Sequence, residues 1–220
     1  MAFSLSSRSL LSPHDLGRFR EDTLFHRVAR AVCEADCLPR KELYESWEVA
    51  RRIRRRFRGG RVVDLACGHG LTALLLLLLD GTSESALAVD TRLPASASRL
   101  YDVLKQHWPT LEGKVRFEQR ELSAITLTAD DLVVSIHACG ALTDQVLERA
   151  AAARARVAVL PCCHDAETSS TGGLEGWIDA ALAIDVTRVA ALRASGYRAF
   201  THTIPNDITP KNRLILAAPH

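Results

Sequence analysis

Net charge is nearly missing from this chain: 28 basic side chains meet 26 acidic ones, a formal excess of +2. A polycation that holds anions with its whole surface is excluded, so any anionic partner has to be read from local patches. A membrane-length apolar run is missing too. The longest, Leu71 to Leu79, is interrupted by Thr72 and falls far short of the ~20 residues that cross a bilayer. Residues 1–13 hold no continuous apolar stretch of the secretory-signal kind, so neither a leader nor a membrane association is expected. Regular cysteine spacing is the third absence. Cys33, Cys37, Cys67, Cys139, Cys162 and Cys163 form no disulfide framework. They read as reduced thiols in a cytoplasmic protein. No internal repeat is found.

What is present suits one sizeable core: 220 residues, 47% apolar and 25% charged. Two amphipathic helices come first. Phe25, Val28, Ala29 and Val32 recur at helical spacing, as do Leu43, Trp47, Ala50 and Phe57. Pro39 separates them, and Gly59-Gly60 is a plausible stop. Residues 1–58 are therefore read as an N-terminal helical extension and 59–220 as the catalytic-type domain. From Arg61 onward, apolar segments suited to strands alternate with helical patterns. Strands are expected near 62–66, 86–89, 114–118, 131–136, 156–160, 197–204 and 213–218, and a long helix over 174–195. This order implies an α/β, mostly parallel sheet with helices on both faces.

The strongest signal is Val63-Asp64-Leu65-Ala66-Cys67-Gly68-His69-Gly70. A strand delivers a carboxylate, glycines turn the backbone tightly, and the next helix opens with free N–H groups. Asp90 follows at the end of the second strand, where a carboxylate accepts from ribose hydroxyls. Gly68-x-Gly70-x-x-Ala73 also satisfies a relaxed dinucleotide fingerprint. Asp64, placed to reach an ammonium group, and Glu121-Leu122, an acidic-then-apolar pair after the third strand, favour S-adenosylmethionine instead.

These residues resemble motif I of the class I S-adenosylmethionine-dependent methyltransferases, and Ala88-Val89-Asp90 is similar to their acidic second-strand motif. The resemblance implies a Rossmann-like seven-stranded sheet whose last strand is antiparallel. It implies that Asp64 holds the amino-acid end of the cofactor, that Gly68 and Gly70 contact it through the backbone, and that Asp90 binds the ribose. Ala66, Glu121 and Leu122 complete the candidate cofactor set.

At the ends of the fourth and fifth strands stand His137-Ala138-Cys139-Gly140, followed by Leu142-Thr143-Asp144, and Cys162-Cys163-His164. The pair resembles a subgroup that includes the 2′-O-methyltransferase of the tRNA acceptor stem and the methyltransferase-like region of glutathione S-transferase C-terminal-domain proteins. The zinc fingers of the tRNA enzyme are missing, and so is the Asn/Asp-Pro-Pro-Tyr mark of amino methylation on bases. Three roles stay open for these residues. His137, then His164, is the candidate general base, with Cys139 beside them. Cys139, Cys162, Cys163 and His164 are soft zinc ligands in a second reading, although adjacent cysteines reach one ion poorly, and no metal is assigned. Packing is the third.

Arg51, Arg52, Arg54, Arg55, Arg56 and Arg58 crowd one helix. They are either a phosphate-binding face for RNA or a solvated face balanced by Glu42, Glu45 and Glu48. The expectation is a methyltransferase acting on RNA, with a protein or small-molecule acceptor, or a non-catalytic cofactor-binding partner, as alternatives.

Overall fold

A computed structural model describes residues 3–220. Met1 and Ala2, part of the stretch read for a leader, lie outside the described residues. After a 3-10 turn at Pro13–Arg18 come α1 (Leu24–Ala35) and α2 (Arg40–Arg56). The alternating part then runs β1 (Val62–Leu65), α3 (Leu71–Asp80), β2 (Ala86–Asp90), α4 (Ser96–His107), β3 (Val115–Gln119), β4 (Leu132–Ser135), α5 (Ala141–Ala152), β5 (Arg156–Val159), α6 (Ala180–Ala194), β6 (Tyr197–Thr203) and β7 (Arg213–Pro219).

The seven strands form one sheet in the order β3-β2-β1-β4-β5-β7-β6. The first five pair in parallel, while β7 runs antiparallel to both β5 and β6. This is the Rossmann-like arrangement anticipated, with its antiparallel last strand. Burial on both faces explains the predominantly apolar character of β1, β4 and β5, broken by Asp64, Ser135 and Arg156. Successive residues serve opposite cores, as the period of two requires. Val62, Leu132, Val134 and Ala158 join the helices α1 to α4, whereas Val63, Val133, Val157 and Val159 join α5 and α6.

The N-terminal helices share the first of these cores with the sheet. Val28, Val32, Leu43, Val49 and Ile53 are fully buried in it. Thr23 caps α1 by accepting from the His26 amide at 3.3 Å. The expected long helix over 174–195 is shorter. Residues 174–179 form turns, and α6 begins only where Asp179 accepts from the Leu182 amide at 3.0 Å. Gly172, Gly173 and Gly176 just upstream offer no helix propensity to carry the pattern back. Among the described residues, no helix is long and apolar enough to cross a membrane.

Candidate active site

β1 ends against β2 and β4 in the middle of the sheet, and its chain must turn sharply to start α3. Ala66, Gly68 and Gly70 do this with positive φ angles of 56°, 54° and 72°. Glycine takes such angles freely, but alanine stores strain there, and strained non-glycine residues concentrate at ligand sites. A side chain at Gly70 would put its Cβ 2.6 Å from the Phe117 ring, so the bend is also sterically closed to larger residues.

Asp90 fixes the bend from the neighbouring strand. Its Oδ2 accepts from the Gly68 amide at 2.9 Å, and its Oδ1 from the Arg92 amide at 3.0 Å. Each carboxylate oxygen keeps a further lone pair for a ligand hydroxyl. Beside it lies a cavity of about 110 Å³ lined by Ala66, Asp90, Glu121, Leu122, Leu142 and Gln145, among others. Four residues singled out from sequence thus meet around one hollow.

Asp64 does not line that hollow. The side chain is buried, and its Oδ2 accepts from the Ala73 amide in the first turn of α3 at 3.3 Å. Its Oδ1 is buried without any partner. Burial pushes the Asp64 carboxyl up to about 7, and the nearby Asp90 and Glu42 carboxylates add to this, against the pull of His137 and the Ala73 amide. A half-satisfied buried acid next to a strained bend fits a cationic ligand group, which would repay its desolvation. The residues present therefore suit a nucleoside cofactor bearing an ammonium group.

Against Gly68 of the same bend, three titratable groups converge that the linear sequence keeps far apart. Glu42 Oε1, from the first turn of α2, lies 3.3 Å from His69 Nδ1 and 3.6 Å from His137 Nε2. His69 Nε2 also meets Ser96 Oγ at 3.1 Å. Burial opposes ionisation of Glu42, but the two imidazoles outweigh it and hold the carboxyl down at about 2. Burial likewise pulls the His137 pKa down, yet Glu42 first and Asp64 next raise it above the ordinary value. His137 keeps a third of its side chain exposed, so it can meet a substrate. Glu42 and His69 were missed from sequence. In the linear sequence Glu42 stands only as a counter-charge for arginines, and nothing in its spacing links it to residues 69 and 137.

His164 is placed elsewhere. Its side chain is 2% exposed, and Nε2 meets Asp185 Oδ1 at 2.8 Å in a buried network. Arg213 Nε donates to Asp185 Oδ2 at 2.6 Å, and Arg188 bridges Asp185 and Asp144. The general-base role expected of His164 does not match this placement, because the ring has no exposed edge. Cys139 lies on the surface among other thiols, with no base in contact.

The arginine helix is divided. Arg54 is buried and donates to the Leu76 carbonyl at 2.9 and 2.7 Å and to Ser83 Oγ at 2.8 Å, so it is a structural residue and not part of an RNA face. Arg51 and Arg52 both pair with Glu48. Arg55, Arg56 and Arg58 are exposed, and the Arg56 guanidinium stacks 3.5 Å over the Phe200 ring. Arg52, Arg55 and Arg56 line a groove of about 1020 Å³ between α2, α6 and the β6–β7 edge, together with His202 and Arg213.

No curated protein matches the chain. Solved structures do. An O-methyltransferase family protein from Burkholderia thailandensis is 18% identical over 95% of this chain and 63% of its own length, with a TM-score of 0.51. The B. subtilis tRNA methyltransferase TrmK is 14% identical over 79% of this chain and 66% of its own, at 0.53. The S-adenosylmethionine-dependent methyltransferase SibL, in its apo form, is 16% identical over 93% and 64%, at 0.52. At such identities the likeness is one of fold, and the chain spans about 63% of the first of these proteins. A model of the methyltransferase-domain family matches residues 41–168, from the start of α2 through the loop after β5. That match covers more than half of the 220 residues, and the chain belongs to the methyltransferase-domain family.

Proposed function

We propose that this protein transfers the methyl group of S-adenosylmethionine to RNA. The observation that carries the RNA reading is the groove lined by Arg52, Arg55, Arg56, His202 and Arg213, which reaches Thr203 and Arg213 at the carboxyl edge of the sheet. In that channel Arg52 pairs with Glu48 and Arg213 with Asp185, which leaves Arg55, Arg56 and His202 to meet a phosphate backbone, and the Arg56 guanidinium stacked on Phe200 suits a neighbouring base. The His-Ala-Cys-Gly and Cys-Cys-His segments, similar to those of the tRNA acceptor-stem enzyme subgroup, support the same substrate class. So does the presence of a tRNA methyltransferase among the fold neighbours, although the O-methyltransferase family protein shares the fold equally.

Asp64, the backbone of Ala66, Gly68 and Gly70, Asp90, Glu121 and Leu122 would hold the cofactor. When bound, S-adenosylmethionine supplies a methyl group already activated on a sulfonium. The remaining work is to align a nucleophile and take its proton. His137 is the group placed for that. Glu42 near Nε2 favours a proton there and leaves Nδ1 free to accept one from a hydroxyl. At 3.6 Å the two groups make a charge contact.

Labelled methyl donor incubated with total RNA, protein and metabolite fractions tests the proposal. Label is expected in RNA, and charge reversal at Arg55 and Arg56 should abolish its salt-dependent binding. Incorporation into protein or metabolites alone would overturn the RNA reading.

A further inference from the structure

Three of the six cysteines have no part in the reaction proposed above, yet the fold brings them together. β4 and β5 are parallel neighbours with Ser135 opposite Val159, so the chain leaving each strand emerges at the same edge. Gly140, at a φ of +56°, turns the first of these loops, and its amide donates to the Cys163 carbonyl at 3.3 Å. The result places Cys139 Sγ 2.9 Å from Cys162 Sγ and 3.3 Å from Cys163 Sγ, with the two adjacent sulfurs 3.7 Å apart. All three lie within 4.8 Å of one another. The objection that adjacent cysteines reach one ion poorly therefore does not hold here, because the turn folds both sulfurs inward.

Packing accounts for cysteines of a different kind. Cys33, Cys37 and Cys67 are buried among apolar neighbours, as free thiols usually are. Cys139 and Cys163 are exposed and Cys162 is half-buried, so their proximity brings little apolar burial. Zinc holds thiolates at about 2.3 Å, which sets two sulfurs on a tetrahedral ion about 3.8 Å apart. The three sulfurs need to spread by under about 1 Å to meet that geometry. With sulfur as the only donor, the site selects soft ions over magnesium or calcium. His164, one of the four residues in the zinc reading of the sequence, is outside this group: its ring nitrogens do not lie within 4.8 Å of all three sulfurs.

We propose that Cys139, Cys162 and Cys163 bind one zinc-class cation through three thiolates, with the fourth coordination position open to solvent. The ion would clamp the loop after β4 to the loop after β5, at the edge where the methyl acceptor is received. The inference stands on the sulfur geometry and is independent of the substrate class.

The full chain, reduced and stripped with chelator, is titrated with Co²⁺ and then with Zn²⁺. One equivalent of Co²⁺ should develop sulfur-to-metal charge-transfer absorption that Zn²⁺ displaces. Cys139→Ser, Cys162→Ser and Cys163→Ser should each weaken Zn²⁺ binding by about tenfold or more. In the unaltered chain, Zn²⁺ should protect these three cysteines from alkylation, with peptide mapping as the readout, so a misfolded variant does not decide the matter. No charge-transfer band in fully reduced protein would overturn the proposal. So would serine variants that bind as tightly as the parent, or a Cys139–Cys162 disulfide that forms in air despite bound-equivalent Zn²⁺. Calorimetry with S-adenosylmethionine on the same samples reports separately on the methyl-transfer reading.

Discussion

At the carboxyl ends of β1 and β2 the site is built from one short stretch and one strand pairing. Asp64, Ala66, Gly68 and Gly70 lie within seven residues, and Asp90 reaches them through the strand paired with β1. At the ends of β4 and β5 the two histidines find no such local partners. His137 gets its acid from α2, 95 positions upstream, and His164 gets its own from α6. The first region spends backbone strain and buried carboxylate to keep a fixed shape. The second is assembled by long-range contacts between charged side chains. On the proposed assignment, a fixed cofactor bed beside a separately assembled acceptor side lets one fold keep its donor and vary its substrate.

If that contrast is right, damage to the first region should appear as lost cofactor binding, and damage to the second as lost rate. The largest effect is expected at Asp90→Ala. It removes the acceptor of the Gly68 amide and the acid on the cavity wall. Charge-assisted hydrogen bonds of this kind contribute about 1.5–3 kcal/mol, so S-adenosylmethionine affinity by calorimetry should fall by about a hundredfold. Unchanged affinity would break the assignment of the bed.

Glu42→Gln should act differently. Glu42 does not touch substrate in this scheme; it positions and charges His137. About ten- to hundredfold should be lost from kcat, with the KM for cofactor unchanged. Glu42 raises the His137 pKa, so its removal should lower that pKa and move the acid limb of the pH–rate profile to lower pH. A loss of rate with no movement of the limb would mean that Glu42 is merely structural.

The same contrast explains what could be read from the chain alone. The strands with apolar faces on both sides, the strained bend and the acid on the second strand carry their meaning in a few neighbouring residues, and the structure places them as read. Glu42 and His69 do not, because their partners are set by how α2 crosses the sheet. Arg54 is indistinguishable from Arg55 by composition. Only helical phase, which turns it onto Leu76 and Ser83 with Ile53 in the core, decides that it is buried. Residues 174–179 continue an apolar pattern and still fail to be helix, since the capping Asp179 starts α6 afresh.

Asp64 offers the smallest effect and the sharpest test of the bed. Its folded-state carboxyl titrates near 7, against about 4 when unfolded. A group whose pKa is raised on folding contributes stability that is fully present below the unfolded value and is lost as pH rises through the folded one. The cofactor-free protein should therefore lose stability between about pH 4 and pH 7, and Asp64→Asn should flatten that decline. Cofactor affinity should run the other way. An ammonium group prefers the ionised acid, so affinity should rise by about tenfold from pH 6 to pH 8, the ionised fraction growing by that factor around a pKa of about 7. Both slopes share the Asp64 carboxyl, so both should shrink together in Asp64→Asn. Affinity that stays flat with pH in the parent protein would separate Asp64 from the ligand and leave it as a cap on α3.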